Sequence, residues 1–200
     1  MEFFAFYFLI IYNDTNMIIG ITGKAGAGKG VIVDYLVHKK GYKHYSARDF
    51  IVQELKKIGL DSTRENMINI GNDLRAKYSP SYIVESLYQI ALKNGGDAVI
   101  ESLRTVGEVE ALKNAKDFLL FAIDAPVDIR YSRIHGRGLE TDSVSIEKFK
   151  EEDNLESFST DPIKQNIFAC MKMADYVFNN AHSIEDIHKE VDRVLEEKMI

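Results

Sequence analysis

The sequence predicts an α/β fold with a parallel sheet covered by helices on both faces, and three observations carry it. Short strand-like runs alternate with helical stretches along most of the chain. Those runs are apolar throughout instead of alternating apolar and polar, as strands buried on two faces are. The first of them, Met17-Ile-Ile-Gly-Ile-Thr22, runs straight into Gly23-Lys-Ala-Gly-Ala-Gly-Lys29. That stretch fits G-x-x-x-x-G-K, and a helical pattern follows it.

Strand, glycine loop and helix stand in the order that a phosphate-binding loop requires. Successive backbone N–H groups must turn inward to make an anion nest, and side chains would obstruct it. Gly23, Gly26 and Gly28 supply the permissive backbone. The helix start adds unpaired N–H groups and the positive end of its dipole. Lys29 adds a cation for the β- and γ-phosphates. One position departs from the motif: Gly30 stands where Ser or Thr would serve as a Mg²⁺ ligand.

Two hundred residues suit one domain with a sizeable core. With 46% hydrophobic and 28% charged residues, no disordered or fibrous class is implied. A net charge of −6 argues against a general binder of polymeric nucleic acid or acidic membranes. It leaves room for a local basic pocket for small phosphates. Cys170 is the one cysteine, so no internal disulfide forms, and a reducing cytoplasm is the expected compartment. Residues 3–12 are apolar throughout, but too short to span a membrane as a helix. They lack the basic start and cleavage site of a signal peptide. Residues 1–16 read as an apolar N-terminal extension, dispensable for chemistry, before a domain over 17–200. A weak membrane or partner contact, or a segment upstream of a start at Met17, are the other readings.

The elements follow in order. The first helix runs from Lys29 to Lys40 and stops at Gly41. Tyr42–Tyr45 is a second strand, and Ser46-Ala-Arg-Asp49 lies at its end. A helix continues through Phe50 to Ile58. Ser62-Thr-Arg-Glu65 reads as the capping box of the next, through Leu74. Pro80 breaks the chain, and Tyr82–Asn94 is helical. Asp97–Glu101 is the third strand, Val109–Ala115 a helix, and Phe118–Asp124 the fourth strand. A helix opens at Pro126 and reaches His135. Residues 139–165 are polar and acidic, mixing helix and loop. Ile167–Ala174 is helical, Tyr176–Phe178 is the last strand, and Ser183-Ile-Glu-Asp186 caps a terminal helix.

Ligands of such sheets bind beyond the carboxyl ends of the strands. Those ends carry Arg48 and Asp49, Glu101 and Arg104, the arginines 130, 133 and 137, and Asn179 with Asn180. An acid at a strand tip beside a phosphate loop holds Mg²⁺ or its waters, which makes Glu101 the metal candidate. Spacings of three and seven place Arg130, Arg133 and Arg137 along one helix face. Phosphoryl transfer needs such cationic clamps. Each residue also has a plainer reading: Asp49 as a helix N-terminal charge, Glu101 as a solvated strand end, the arginines as a solvated stripe, the asparagines as turn formers.

The segments GITGKAGAGKG, SARD, ENMINIGNDLR, VIESLRTVGEVEAL, AIDAPVDIRYSRIHGRG and ADYVFNN together resemble the nucleoside-monophosphate-kinase branch of P-loop kinases. The deoxynucleoside-monophosphate-kinase and dephospho-CoA-kinase-like members are the most similar, over Met17 to Leu195. The resemblance implies a three-layer α/β/α fold with a five-stranded parallel sheet in the order 2-3-1-4-5. It implies Mg²⁺-ATP as donor and a small phosphorylated acceptor bound against helices over about 47–94. A lid-like segment spans about 136–165. Adenylate kinases also carry Gly after the loop lysine, so Gly30 fits this branch, whereas Val31 stands where they have Thr. Arg48 and Val52 replace the Gly and Arg that flank the acid in many relatives, and Glu101 replaces an Asp.

On this resemblance, residues 23–31 bind ATP: Gly23, Lys24, Ala25, Gly26, Ala27, Gly28, Lys29, Gly30 and Val31, with Arg130 and Asn179. Lys29, Arg104, Arg133 and Arg137 act on the transferring group. Arg48, Asp49, Asn72, Arg75 and Arg104 receive the acceptor, and Glu101 positions Mg²⁺, through water where needed. The acceptor is a (deoxy)nucleoside monophosphate, and the enzyme a monomer or homodimer. Dephospho-CoA kinase is the alternative, with Asp49 as base. A nucleotide-binding switch or ATPase acting through a partner is the alternative of another class.

Overall fold

The computed structural model describes residues 17–115, 117–136 and 144–198. The apolar extension 1–16, Arg137 and the rest of 138–143 lie outside the described residues. Five strands form one parallel sheet: β1 (Ile18–Gly23), β2 (Lys43–Ser46), β3 (Ala98–Glu101), β4 (Phe118–Asp124) and β5 (Tyr176–Asn179). Their order is β2-β3-β1-β4-β5, as the resemblance implies. The register pairs Ser46 with Glu101, Glu101 with Ile21, Gly23 with Ile123 and Asp124 with Asn179. Every chemistry-bearing strand end therefore meets at one edge of the sheet.

The continuous apolar runs have the predicted cause in the central strands β1, β3 and β4, which are buried on both faces. The edge strands β2 and β5 are largely half-buried or exposed. Leu119, Phe121 and Ile123 point to one side and Phe118 and Leu120 to the other. The first side packs α1 (Lys29–Lys40) through Ile32, Val33 and Leu36, and the C-terminal helix Ile184–Lys198 through Ile187, Val191 and Val194. Between β2 and β3 come α2 (Ala47–Lys57), α3 (Arg64–Lys77) and α4 (Tyr82–Asn94). The other side of the sheet packs α4 through Ile83 and Val84, and α5 (Val106–Lys113) through Val109 and Leu112. After β4 follow α6 (Val127–His135), α7 (Ile146–Ser157) and α8 (Ile167–Lys172), before β5 and the terminal helix, α9. Cys170 of α8 is buried in that second core, which pushes its thiol up to about 12. Among the described residues no helix is long and apolar enough to cross a membrane.

Local signals act largely where the sequence places them. Gly41 ends α1 with φ 79° and returns its N–H to the Leu36 carbonyl. Ser183 caps α9, accepting from the Asp186 N–H at 3.2 Å. Two caps differ. In place of the expected box at Ser62 and Glu65, Thr63 alone caps α3, accepting from the Asn66 N–H. A true capping box appears at Thr105 and Glu108, and it starts α5 at Val106, three residues ahead of the expected Val109.

Candidate active site

The loop between β1 and α1 has the backbone that an anion nest needs. Gly23, Gly26 and Gly28 take φ of 139°, 76° and 97°, in the region that favours glycine. At Gly28 the space is also closed, since a Cβ would stand 2.0 Å from Asn180 Nδ2. Helix α1 has no side-chain cap and no acid in its first turn. Its leading N–H groups thus face the loop without a competing carboxylate. Lys29 folds back so that Nζ donates to the carbonyls of Gly23 at 2.8 Å and Lys24 at 3.0 Å.

The loop is braced from the β4 and β5 side. Asn180 is buried and donates through Nδ2 to the Ala27 carbonyl at 2.9 Å. Arg133 donates to the Asn180 carbonyl at 3.0 Å and to Ala27 at 3.4 Å. Its guanidinium therefore stands against the phosphate loop. Lys24 lies 3.8 Å from Asp124 at the end of β4. Asn179, the expected ATP-binding residue, is exposed, and its neighbour Asn180 is the residue fastened to the loop. The doublet Asn179-Asn180 is legible as a strand end, but which member turns inward depends on strand register.

The opposite side is built on β3. Ser102 holds φ 76°, an unusual conformation for a residue with a Cβ. It is fixed because the N–H groups of Ser102 and Leu103 both donate to the Ile21 carbonyl at 3.0 Å. Glu101 and Arg104 thus flank a strained turn held directly on β1. Glu101 accepts from, or shares a proton with, His44 Nε2 at 3.1 Å. That bond, opposed by burial and helped by the charges of His44, Lys29 and Arg104, holds its carboxyl below the usual range. The same bond raises His44, again against burial, with help from the charges of Glu101 and Asp49.

Arg104 is pinned on both sides of its backbone. Its N–H donates to Glu108 Oε2 at 2.7 Å, and its carbonyl accepts from the Asn166 N–H at 2.8 Å. Its guanidinium donates to Gln165 Oε1 at 2.9 Å and reaches Glu156 at 3.5 Å. Glu108 was no candidate on sequence, although the Thr-x-x-Glu spacing carries its signal.

The structure places the other expected contact residues as follows. Arg75 is buried with its guanidinium committed to Glu108, at 2.7 and 3.0 Å, which turns it away from an acceptor phosphate. Arg130 is likewise buried, paired with both oxygens of Asp153 and bonded to the Ala25 and Ala125 carbonyls. It does not share an open cationic stripe with Arg133, because burying a guanidinium requires such partners. Val31 packs on the α1 core and commits its N–H to the Gly28 carbonyl at 3.0 Å, while Gly30 is exposed with open space at its Cβ position. Asn72 is half-buried on α3, and Arg48 and Asp49 are exposed in the first turn of α2.

Comparison with known proteins agrees with this architecture. A family model described as an AAA domain matches residues 19–155. The UPF0200 protein MJ1399 of Methanocaldococcus jannaschii is 31% identical over 184 residues, covering 90% of each chain. A UPF0200 protein of Thermococcus onnurineus is 30% identical over 187 residues, covering 90% of this chain and 97% of its own. Among solved structures, shikimate kinase from Acinetobacter baumannii superposes with a TM-score of 0.60 at 13% identity, over 92% of this chain and 96% of that one. At that identity the likeness is one of fold, a P-loop kinase fold. Phosphate loop, strand order and sequence likeness converge, and the chain belongs to the UPF0200 family of AAA-domain P-loop proteins.

Proposed function

We propose that this protein is an ATP-dependent kinase that phosphorylates a (deoxy)nucleoside monophosphate, giving the diphosphate and ADP. The observation that carries this reading is the turn at Ser102. It holds an ionised acid, Glu101, and a cation, Arg104, at either side of one fixed bend, with the Lys29 charge close enough to act on the same carboxylate. A hydrolase needs one phosphate site. A second cation beside the first site supports transfer between two phosphates.

In this reading the loop N–H groups and Lys29 hold the donor phosphates. Arg133, already against the loop, neutralises charge on the transferring group. Arg104 holds the acceptor phosphate in line. The bond from the γ-phosphorus to the β,γ-bridging oxygen breaks as one forms to an acceptor phosphate oxygen. That oxygen is already anionic, so no base is required. The donor set fits Mg²⁺, which keeps several waters and takes one or two carboxylates plus phosphates. Glu101, held ionised, would supply that carboxylate. Bound there, the metal would offset charge on the β- and γ-phosphates.

One observation favours a second reading, transfer to a ribose hydroxyl as in dephospho-CoA. The Asp49 carboxylate is exposed at the end of β2 and close enough for its charge to act on His44. Such an acid could take the proton of a hydroxyl. A screen of ribo- and deoxyribonucleoside monophosphates and dephospho-CoA as acceptors, with ATP and Mg²⁺, tests both. Turnover with a monophosphate is expected. Turnover with dephospho-CoA alone, lost in Asp49→Asn, would transfer the assignment to the hydroxyl reading.

A further inference from the structure

Helix α7 presents three acids, Glu152, Asp153 and Glu156, to three arginines from separate parts of the chain. One of these pairs is a staple. Arg130 is buried, and its remaining donors go to backbone carbonyls. The other two arginines differ. Arg64, at the start of α3, donates to Glu152 at 2.7 Å and to Glu156 Oε1 at 2.5 Å. Arg104 approaches the other oxygen of Glu156 at 3.5 Å. The side chains of Arg64 and Arg104 remain 41% and 33% exposed, whereas that of Glu156 is only 12% exposed. A shielded carboxylate is thus gripped through both oxygens by two guanidinium groups that stay open to solvent.

Helix energetics do not explain an acid at this place. Glu156 lies in the last turn of α7, which contains no basic residue. A carboxylate there faces the negative end of the helix dipole, a position that disfavours it. What favours it is the arginine pair. Two guanidinium groups closing on one oxyanion from different elements is the arrangement that recognises phosphate. One of the two, Arg104, projects from the fixed turn beside the phosphate loop.

We propose that Arg64 and Arg104 form the seat of the acceptor's phosphate, and that Glu156 is the chain's own stand-in for it. An arriving phosphate carries more charge and more acceptor oxygens than a carboxylate, so it displaces Glu156 from both arginines. Release of Glu156 loosens the hold of α7 on α3 and on Arg104. Acceptor binding is thereby coupled to the position of α7, the described part of the segment expected to act as a lid. The nature of the anion rests on the kinase reading above; the existence of the seat does not.

The test separates the two. In a Lys29→Ala background, which weakens the phosphate loop, inorganic phosphate binding is measured by calorimetry. Adding Glu156→Gln removes the competitor, and phosphate affinity rises by roughly three- to tenfold. Glu156→Asp, which keeps the charge but shortens its reach, gives a smaller rise. Adding Arg64→Ala to Glu156→Gln lowers affinity at least about tenfold. In the otherwise unaltered chain, Glu156→Gln lowers KM for a nucleoside monophosphate and Arg64→Ala raises it, both with KM for ATP unchanged. Phosphate affinity that is unchanged or weaker in both Glu156 variants overturns the proposal, as does an Arg64→Ala enzyme with unchanged acceptor KM. If the phosphate results hold and no monophosphate turns over, the seat stands and the acceptor assignment falls. If monophosphates turn over and neither Glu156 nor Arg64 matters, the seat falls alone.

Discussion

Glu108 accepts the backbone N–H of Arg104 at 2.7 Å through one carboxylate oxygen while the other receives the buried guanidinium of Arg75. One side chain thereby ties α3 to the residue on which phosphoryl transfer is proposed to depend. The same carboxylate completes the capping box of α5. Breaking a buried ion pair on one side leaves the other charge without compensation, at a cost of roughly 3–5 kcal/mol. Glu108→Ala is therefore expected to lose about that much stability in urea unfolding. Glu108→Gln keeps the shape but sets an amide N–H₂ against donors, and should lose about 1–3 kcal/mol. A Glu108→Ala protein within about 1 kcal/mol of the parent would show that the pair contributes little.

Lys29 and Arg104 are expected to matter to transfer far more than to folding. Arg104 sits on a turn fixed by backbone bonds to Ile21, Glu108 and Asn166, so shortening its side chain leaves the turn in place. Lys29→Ala and Arg104→Ala should each reduce turnover about a thousandfold or more in an ADP-coupled assay, with melting temperatures near the parent's. Near-normal turnover of either variant would remove that residue from the mechanism.

Gly28 tests the loop by geometry alone. With φ 97° and Asn180 Nδ2 at 2.0 Å from a built Cβ, alanine is opposed both by backbone strain and by contact. Gly28→Ala must push Asn180 off the Ala27 carbonyl, and Arg133 with it. The expected result is at least about a tenfold loss of ATP affinity, read by calorimetry, from an excess of roughly 1–3 kcal/mol in strain and lost bonds. Unchanged affinity would mean that the loop refolds on binding.

The His44–Glu101 bond predicts how stability changes with pH. Glu101 is lowered from its ordinary 4.5, so its contribution is present above that value and fades as pH falls through the depressed one. His44 is raised from 6.5, so its contribution is full below that value and is lost as pH rises through the raised one. The bond therefore stabilises most between the two ordinary values and weakens toward alkaline pH. Both groups are partly exposed, which limits the effect to about 0.2–1 kcal/mol. Urea midpoints at pH 6 and pH 8.5 should fall more steeply for the parent than for His44→Ala; parallel changes would assign the bond no role.

The fold was legible because its signals are local. Apolar runs such as Phe118–Asp124 mark strands, and Gly23–Lys29 and Gly41 mark the ends of what lies between them. The strand order came from resemblance to a family, since alternation alone does not order a parallel sheet. At the site, residue type and strand position located Glu101, Arg104 and the loop. They did not show which charges neutralise one another. Arg75 and Arg130 look like ligands in the sequence because their partners, Glu108 and Asp153, lie 33 and 23 residues away. Asn180 was hidden by its neighbour, because one step along a strand reverses the side chain. Nothing at Ser102 marks a left-handed turn, since that conformation is imposed by the Ile21 carbonyl.

Among the glycines of the loop, Gly30 alone leaves room for a side chain. Apart from its chain neighbours and the backbone of its own helix, no atom lies within 4 Å of a Cβ built there, and its φ is not in the left-handed region. It is the second residue of α1, where serine is a better helix former than glycine by roughly 0.5 kcal/mol. Gly30→Ser should therefore fold at least as well as the parent. It also places a hydroxyl where the usual motif has a Mg²⁺ ligand. If Mg²⁺ is held chiefly by Glu101, its waters and the phosphates, the added oxygen should lower the Mg²⁺ concentration for half-maximal turnover several-fold and make Glu101→Gln less damaging. A Mg²⁺ dependence unchanged by Gly30→Ser, with melting temperature preserved, would place the metal away from the start of α1.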